Sequence, residues 1–267
     1  MDFKNKIVWI TGASSGIGEH LAYALAEQGA KLILSSRNEK ELQRVKNNCH
    51  QDSDILLLPL DVADFAAIPP SVEMALQHFG KIDILINNAG ISQRSLIKDT
   101  ALEVDQKIMN INYLGTVAMT KAVLPVMLKQ GHGQMVVISS VMGKVGVPYR
   151  SAYAASKHAL HGFFDALRAE VAKDNIDVTV ILPGYVRTNV TINALRGDGS
   201  QNSVMAPETA KGMDPGIFAQ RALKAIANKR EEVLIGNKEI YAVLVKRLFP
   251  GFLSYMTKRI KFAAEQR

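Results

Sequence analysis

Lys6-Ile7-Val8-Trp9-Ile10-Thr11-Gly12-Ala13-Ser14-Ser15-Gly16-Ile17-Gly18 decides the fold of this chain. Lys6 to Ile10 is a short apolar run suited to a buried strand, and a glycine-rich turn follows it. From Glu19 to Gln28 the apolar residues Leu21, Ala22, Leu25 and Ala26 recur with helical period. Strand, glycine turn, helix is the layout of a dinucleotide-binding unit. Gly12 permits the tight turn, Gly16 lets backbone approach a pyrophosphate, and Gly18 allows close helix–strand packing. The helix amino terminus then offers free N–H groups to the phosphates. The spacing is Gly-x-x-x-Gly-x-Gly rather than the commoner Gly-x-Gly-x-x-Gly, and a turn of this kind can also serve packing alone.

Working outward, strand-like runs recur near Ile7, Leu32, Ile55, Ile84, Val136, Val178 and Val233, separated by helical stretches that include Ala101–Lys129 and Ala152–Lys173. This alternation predicts an α/β fold: a doubly wound, Rossmann-type parallel sheet of about seven strands with helices on both faces. One domain over residues 1–236 accounts for it, without internal linker or low-complexity segment. The runs end in polar and glycine residues, Asn87-Asn88-Ala89-Gly90 after Ile86 and Pro183-Gly184-Tyr185-Val186-Arg187-Thr188 after Leu182. Ligands of open parallel sheets bind beyond the carboxyl ends of the strands, so the chemistry converges on one edge.

Tyr153 and Lys157 lie four apart in Tyr-Ala-Ala-Ser-Lys, with Ser140 upstream in Val-Ile-Ser-Ser. Residues four apart share a helix face, so the Lys157 ammonium can stabilise a Tyr153 phenolate. A nearby cation lowers the pKa of a tyrosine from its ordinary value of about 10, into the range useful for general acid or base work. Adjacent strand-end residues point to opposite faces; the offset to Tyr153 favours Ser140 as the group facing the substrate and leaves Ser139 as a structural hydroxyl.

With the glycine turn, Asn88-Ala89-Gly90, Ser140/Tyr153/Lys157 and Pro183–Thr188 assembled, the sequence resembles the short-chain dehydrogenase/reductase family from Lys6 to about Ile235. The resemblance implies Tyr153 as catalytic acid/base, Ser140 as hydrogen-bond partner of the substrate oxygen, and Lys157 as pKa tuner and ribose ligand. It also implies that Asn112 positions a relay water, that Thr188 holds the nicotinamide carboxamide and that Asp61, with Val62 beside it, touches the adenine. Gly12, Ser14, Ser15, Gly16, Ile17, Gly18, Asn88, Ala89, Gly90, Pro183, Gly184 and Val186 complete the implied cofactor site. Within the family, the stretches Gly90–Ser95, Met109–Tyr113, Pro148–Tyr153 and Phe163–Glu170 are similar to the dehydrogenase/reductase member 7 group, in particular its 7B-like branch. That similarity implies a lipid-, steroid- or retinoid-like ketone or alcohol. The family's helices corresponding to Ala101–Lys129 and Ala152–Lys173 build subunit interfaces, which implies a homodimer or homotetramer.

Ser36 and Arg37 follow the second strand, where a protein selecting NAD usually places an acid. A guanidinium suits a 2′-phosphate, so NADP(H) is expected in preference to NAD(H). One cysteine, Cys49, excludes an internal disulfide framework and a cysteine-cluster metal site. The histidines, His158 and His161 included, show no metal-ligand spacing, and no metal is expected. Apolar content of 48% and charged content of 21% are those of a globular protein.

Residues 188–214 are polar and glycine-containing, with scattered Val190, Ile192, Leu195, Val204 and Met205, and read as a substrate lid. Residues 237–267 form a basic amphipathic extension in which Lys and Arg alternate with Tyr241, Leu244, Leu248, Phe249, Phe252, Leu253, Tyr255, Met256, Ile260 and Phe262. Such a stretch fits peripheral membrane contact or docking on a neighbouring subunit. No nucleic-acid module accompanies the charge. No run of eighteen apolar residues occurs, so no spanning segment is expected. Met1-Asp2-Phe3 leads straight into the first strand, so neither signal peptide nor the amino-terminal anchor of animal 7B-like relatives is expected. The location that follows is cytoplasmic, with a membrane-peripheral option. Three rival readings stand beside the reductase: a nucleotide sensor without catalysis, a membrane-associated scaffold, and a nucleotide-sugar epimerase, which usually needs a larger carboxyl-terminal domain.

Overall fold

In a computed structural model that describes residues 2–259, the predicted strand runs all become strands of one parallel sheet. These are β1 (Ile7–Thr11), β2 (Lys31–Ser35), β3 (Ile55–Leu57), β4 (Ile84–Asn87), β5 (Gly133–Ile138), β6 (Ile176–Pro183) and β7 (Glu232–Ile235), in the order β3-β2-β1-β4-β5-β6-β7. The helices are α1 (Gly16–Glu27), α2 (Glu39–Asn48), α3 (Ile68–Phe79), α4 (Leu102–Met109), α5 (Gly115–Gln130), α6 (Ser151–Glu170), α7 (Pro207–Ala210), α8 (Pro215–Ala227), α9 (Tyr241–Leu248) and α10 (Pro250–Thr257). Strand order reverses at the β1–β4 pair, which runs from Val8 opposite Ile84 to Ile10 opposite Ile86. Connections leaving such a pair in opposite directions open a crevice beyond the strand ends.

Helices cover both faces, so β1 and β4 are buried at every residue; unbroken apolar runs are the sequence signature of that arrangement. Val8, Ile10, Leu21, Leu25, Phe218 and Leu223 form the core on the α1/α8 side. Trp9, Val72, Val123, Phe164 and Leu167 form it on the α3/α5/α6 side. The Trp9 indole N–H donates to Ser35 Oγ at 2.9 Å, so its one polar atom is satisfied inside the core.

Four details depart from the sequence reading. Helix α1 begins at Gly16, so the glycine turn itself forms the first helical turn. The stretch read as one helix is broken by a π-turn over Asn110–Leu114. Leu102–Gln130 is also long and apolar enough to cross a membrane by length and mean hydropathy of 1.3, a property that a search for uninterrupted runs misses; here Val104, Ile108, Met119, Val123 and Met127 are buried in the fold. Finally, residues 188–214 are better anchored than their composition predicts. Thr191, Ala194, Leu195 and Ala206 are buried, and Leu195 bridges to Gln93 and Gln201.

The crevice is pinned by one side chain. Asn88, just after β4, donates from Nδ2 to the carbonyls of Thr11 and Gly12, each at 3.0 Å. Thr11 Oγ1 in return accepts the N–H groups of Asn88 at 3.0 Å and Ala89 at 3.1 Å. Gly12 has φ +65°, a conformation that L side chains avoid. A Cβ on Gly18 would lie 2.6 Å from Asn88 Nδ2 and against the Gly12 carbonyl. We therefore expect Gly18→Ala to lower unfolding free energy by about 1–3 kcal/mol in urea titrations. Gly146→Ala, where an added Cβ meets nothing within 4 Å, should change it by less than about 0.5 kcal/mol.

Candidate active site

A cleft of about 1190 Å³ runs along the carboxyl ends of the strands. Its walls come from the glycine turn after β1, Ser36 and Arg37 after β2, Leu60, Asp61 and Val62 after β3, and Asn88, Ala89 and Gly90 after β4. Ser139 and Ser140 follow from β5, Pro183, Gly184, Val186 and Thr188 from β6, and Tyr153 and Lys157 from α6. Gly12, Ser14, Ser15, Gly16 and Ile17 all face the cleft, whereas Gly18 sits behind them in the packing described above. A second cavity of about 280 Å³ meets the cleft at Ser140, Tyr153, Val186 and Val190. Val141, Met142, Val145, Val147, Leu253 and Met256 make it mainly apolar.

The long cleft fits a dinucleotide on physical grounds. Helix α1 has no side-chain cap at Ser15, so its first N–H groups are free to meet an anion where Ser15, Gly16 and Ile17 line the wall. Thr188 closes the opposite side: a Cβ on Gly16 would lie 3.1 Å from its Cγ2. At the far end Arg37 and Lys40 bring positive charge, with Glu39 in the same wall.

At the junction the chemistry is set by burial. Burial pushes the Tyr153 hydroxyl above the ordinary tyrosine value, while hydrogen bonding with Ser140 and the charge of Arg150 pull it down. Ser140 Oγ also accepts the Met142 N–H at 3.1 Å, which fixes its direction at the end of β5. Ser139 points the other way, to the Lys157 carbonyl at 3.3 Å and His161 Nε2 at 3.1 Å. His161 is pushed down to about 4 by burial, with the Lys144 charge adding to it. His158 bonds its own helix at the Ala154 carbonyl. Neither histidine lines the cleft or the second cavity.

Lys157 lies beside Tyr153 and is buried. Its Nζ donates to the Ile138 carbonyl at 2.7 Å, lies 5.9 Å from the centre of the Tyr153 ring, and is pushed down to about 8 by burial. The charge of Arg150 also bears on Tyr153 and favours its ionised form. Asn112 stands back from the cleft. Its Oδ1 accepts the Ile91 N–H at 2.8 Å, and Nδ2 donates to the Ile91 carbonyl at 2.9 Å and Ser156 Oγ at 3.0 Å. Its main-chain carbonyl, within the π-turn, accepts from Thr116 Oγ1 at 3.0 Å.

Arg150 is the residue that sequence reasoning missed. It is 5% exposed, lines the apolar cavity with Tyr153 and donates from Nη1 to Ser92 Oγ. Burial pulls its own pKa down, and the nearby Arg94 charge does so further. Its one sequence signal is position: it precedes the Tyr153 helix by one residue and stands three before the tyrosine, on the same face. The carboxyl-terminal segment was missed in a second sense. Ala242, Leu253, Met256 and Thr257 wall the cavity, and Glu239 Oε1 accepts the Tyr185 N–H at 2.9 Å, which ties this wall to the end of β6.

Comparison with known proteins agrees with this geometry. A family model described as short chain dehydrogenase matches residues 6–198. A dehydrogenase/reductase SDR family member 7B from Xenopus laevis is 46% identical over 264 residues, covering 96% of this chain and 82% of that protein. Among solved structures, levodione reductase superimposes with a TM-score of 0.80 at 28% identity, covering 90% of this chain and 99% of the other. A short-chain dehydrogenase/reductase from Burkholderia phymatum in complex with NAD shares the fold with a TM-score of 0.83 at 23% identity, covering 98% of each chain.

The Arg150 geometry has a direct consequence. A cation favours the phenolate, so its removal raises the Tyr153 pKa and moves tyrosinate formation to higher pH. Carbon-13 NMR titration of ζ-labelled tyrosine, with the Tyr153 signal assigned by its loss in Tyr153→Phe, should show an upward midpoint in Arg150→Met and a wild-type-like one in Arg150→Lys.

Proposed function

The chain belongs to the short-chain dehydrogenase/reductase family, and from that footing we propose that it interconverts a lipophilic ketone or aldehyde and its alcohol with NADP(H). The observation that carries this reading is the meeting of a dinucleotide-sized cleft and an apolar cavity at Ser140 and Tyr153. Nicotinamide bound in the cleft supplies the hydride exchange. Tyr153 gives its hydroxyl proton to the substrate oxygen in reduction and takes it back in oxidation. Ser140 donates to the same oxygen and polarises the carbonyl. Apolar walls exclude water there, which strengthens both interactions.

Lys157 is within reach of the ribose side of the cleft beside Gly90, where a built Cβ would lie 3.6 Å from its Nζ. Thr188 would hold the carboxamide, Asp61 the adenine edge, and the Asn112 carbonyl a relay water. Ser36 in place of an acid, with Arg37 and Lys40 in the same wall, favours a 2′-phosphate over a bare ribose hydroxyl. Residues 188–214 would close over the bound substrate, since Val190 and Thr191 already line the apolar cavity. Exposed Leu114, at the end of the π-turn, and Leu128, in the last turn of α5, favour this helical stretch as a subunit interface in a homodimer or homotetramer.

The purified chain should consume NADPH against lipophilic ketones and prefer it to NADH, and Arg37→Glu should reverse that preference. Tyr153→Phe should lower kcat by about 10²–10⁴-fold while NADPH binding, followed by fluorescence, persists. Tight NADPH binding without turnover, unchanged in Tyr153→Phe, would instead favour a nucleotide sensor.

A further inference from the structure

Helices α9 and α10 turn apolar stripes outward. On α9, Tyr241, Leu244 and Leu248 recur at helical spacing and are 63%, 54% and 58% exposed. On α10, Phe252, Tyr255 and Met256 do the same, while Leu253 and Thr257 face inward and line the apolar cavity. Phe249, between the helices, is 64% exposed. A helix that only covered a cavity would present polar residues on its outer face. Here seven large apolar side chains face solvent within Tyr241–Arg259, which marks an interaction surface.

Charge decides what covers it. Arg247, Lys258 and Arg259 are exposed in the same segment, as is Lys246, whose Nζ is tied back to the Lys144 carbonyl at 2.6 Å, and no acid occurs between Tyr241 and Arg259. A second copy docked through this patch about a two-fold axis would set these cations against one another without a carboxylate to match them. An anionic lipid surface satisfies both components, taking the aromatic and aliphatic stripes into its acyl boundary and the cations at its headgroups. The Arg259 guanidinium lies 3.8 Å over the Tyr255 ring, which places charge and aromatic body side by side as an interface requires.

We propose that α9 and α10 lie flat on an anionic membrane surface, and that the cavity beneath them takes its substrate from that surface. The docking stands on the two helices alone; the entry route rests on the enzymatic reading above. The helices are both the lipid-facing surface and the outer wall of the cavity that reaches Tyr153, so an apolar ketone passes inward between them. Ile260 and Phe262, which continue the same pattern in sequence, lie outside the described residues.

Sedimentation of the full chain with phosphatidylcholine vesicles, with and without phosphatidylserine, tests the docking. We expect salt-sensitive binding to the phosphatidylserine vesicles, weakened at least about tenfold in Arg247→Glu/Lys258→Glu and lost in Phe249→Ser/Phe252→Ser, with circular dichroism and melting unchanged. Equal partition to both vesicle types, or binding that survives the phenylalanine variant, overturns the proposal. So does a dimer by light scattering that the phenylalanine variant dissociates while the wild type ignores vesicles; the patch is then a self-interface. For the route, Phe249→Ser/Phe252→Ser should keep turnover of a water-soluble ketone and lose that of a vesicle-borne one. Equal loss or equal retention of the two refutes the route. Absence of any turnover refutes the enzymatic reading and the route together, leaving the docking to the vesicle result.

Discussion

The clamp between Asn88 and the Thr11–Gly12 turn is the constraint on which the site depends. A parallel sheet brings the ends of β1 and β4 side by side, but adjacency alone does not fix the loops that leave them. Asn88 does so by filling two carbonyls of the glycine turn, while Thr11 fills the two N–H groups at the end of β4. Four hydrogen bonds across one strand pair therefore settle the backbone on both sides of the crevice. Gly18 must be small because the carbonyl of Gly12 and the amide of Asn88 occupy the space its side chain would need. The floor of the cleft, the start of α1 and the loop that carries Gly90 are thus a single rigid unit.

From that unit the rest of the site follows by burial. Lys157 and Arg150 are withdrawn from water and Tyr153 is half-buried beside them, in surroundings where charges act over longer range than at a surface. Each pays in desolvation for its ionised form, and the balance among them sets the tyrosine. The Lys157 ammonium donates to the Ile138 carbonyl, and the Arg150 guanidinium, which faces the same apolar cavity as Tyr153, acts from the cavity side. Proton affinity at the junction is governed from two directions, one belonging to the long cleft and one to the small cavity.

The sheet was legible because its strands are buried on both faces, and runs such as Ile176–Leu182 have no other physical home. The glycine turn and Tyr153–Lys157 were legible because their spacing is local. Arg150 was not: nothing in Pro148–Tyr153 tells that Ser92, distant in sequence, receives its guanidinium in a dry cavity. The π-turn at Asn110 escaped notice because a single widened turn barely alters apolar periodicity. Segment 188–214 looked unanchored since its anchors are isolated bridges from Leu195 to Gln93 and Gln201 and the Thr191 hydrogen bonds, not a periodic apolar pattern. The carboxyl-terminal helices showed their apolar and basic character, but only the fold shows that Leu253 and Met256 wall the cavity.

The tie from Glu239 to the end of β6 has a temporal consequence. A ribosome releases the chain from its amino terminus, so every wall of the long cleft up to Thr188 is made before α9 and α10 emerge. The small cavity gains its outer wall only when Glu239 reaches Tyr185, so the two spaces that meet at Tyr153 are completed in sequence, the long cleft's strand ends being synthesised first.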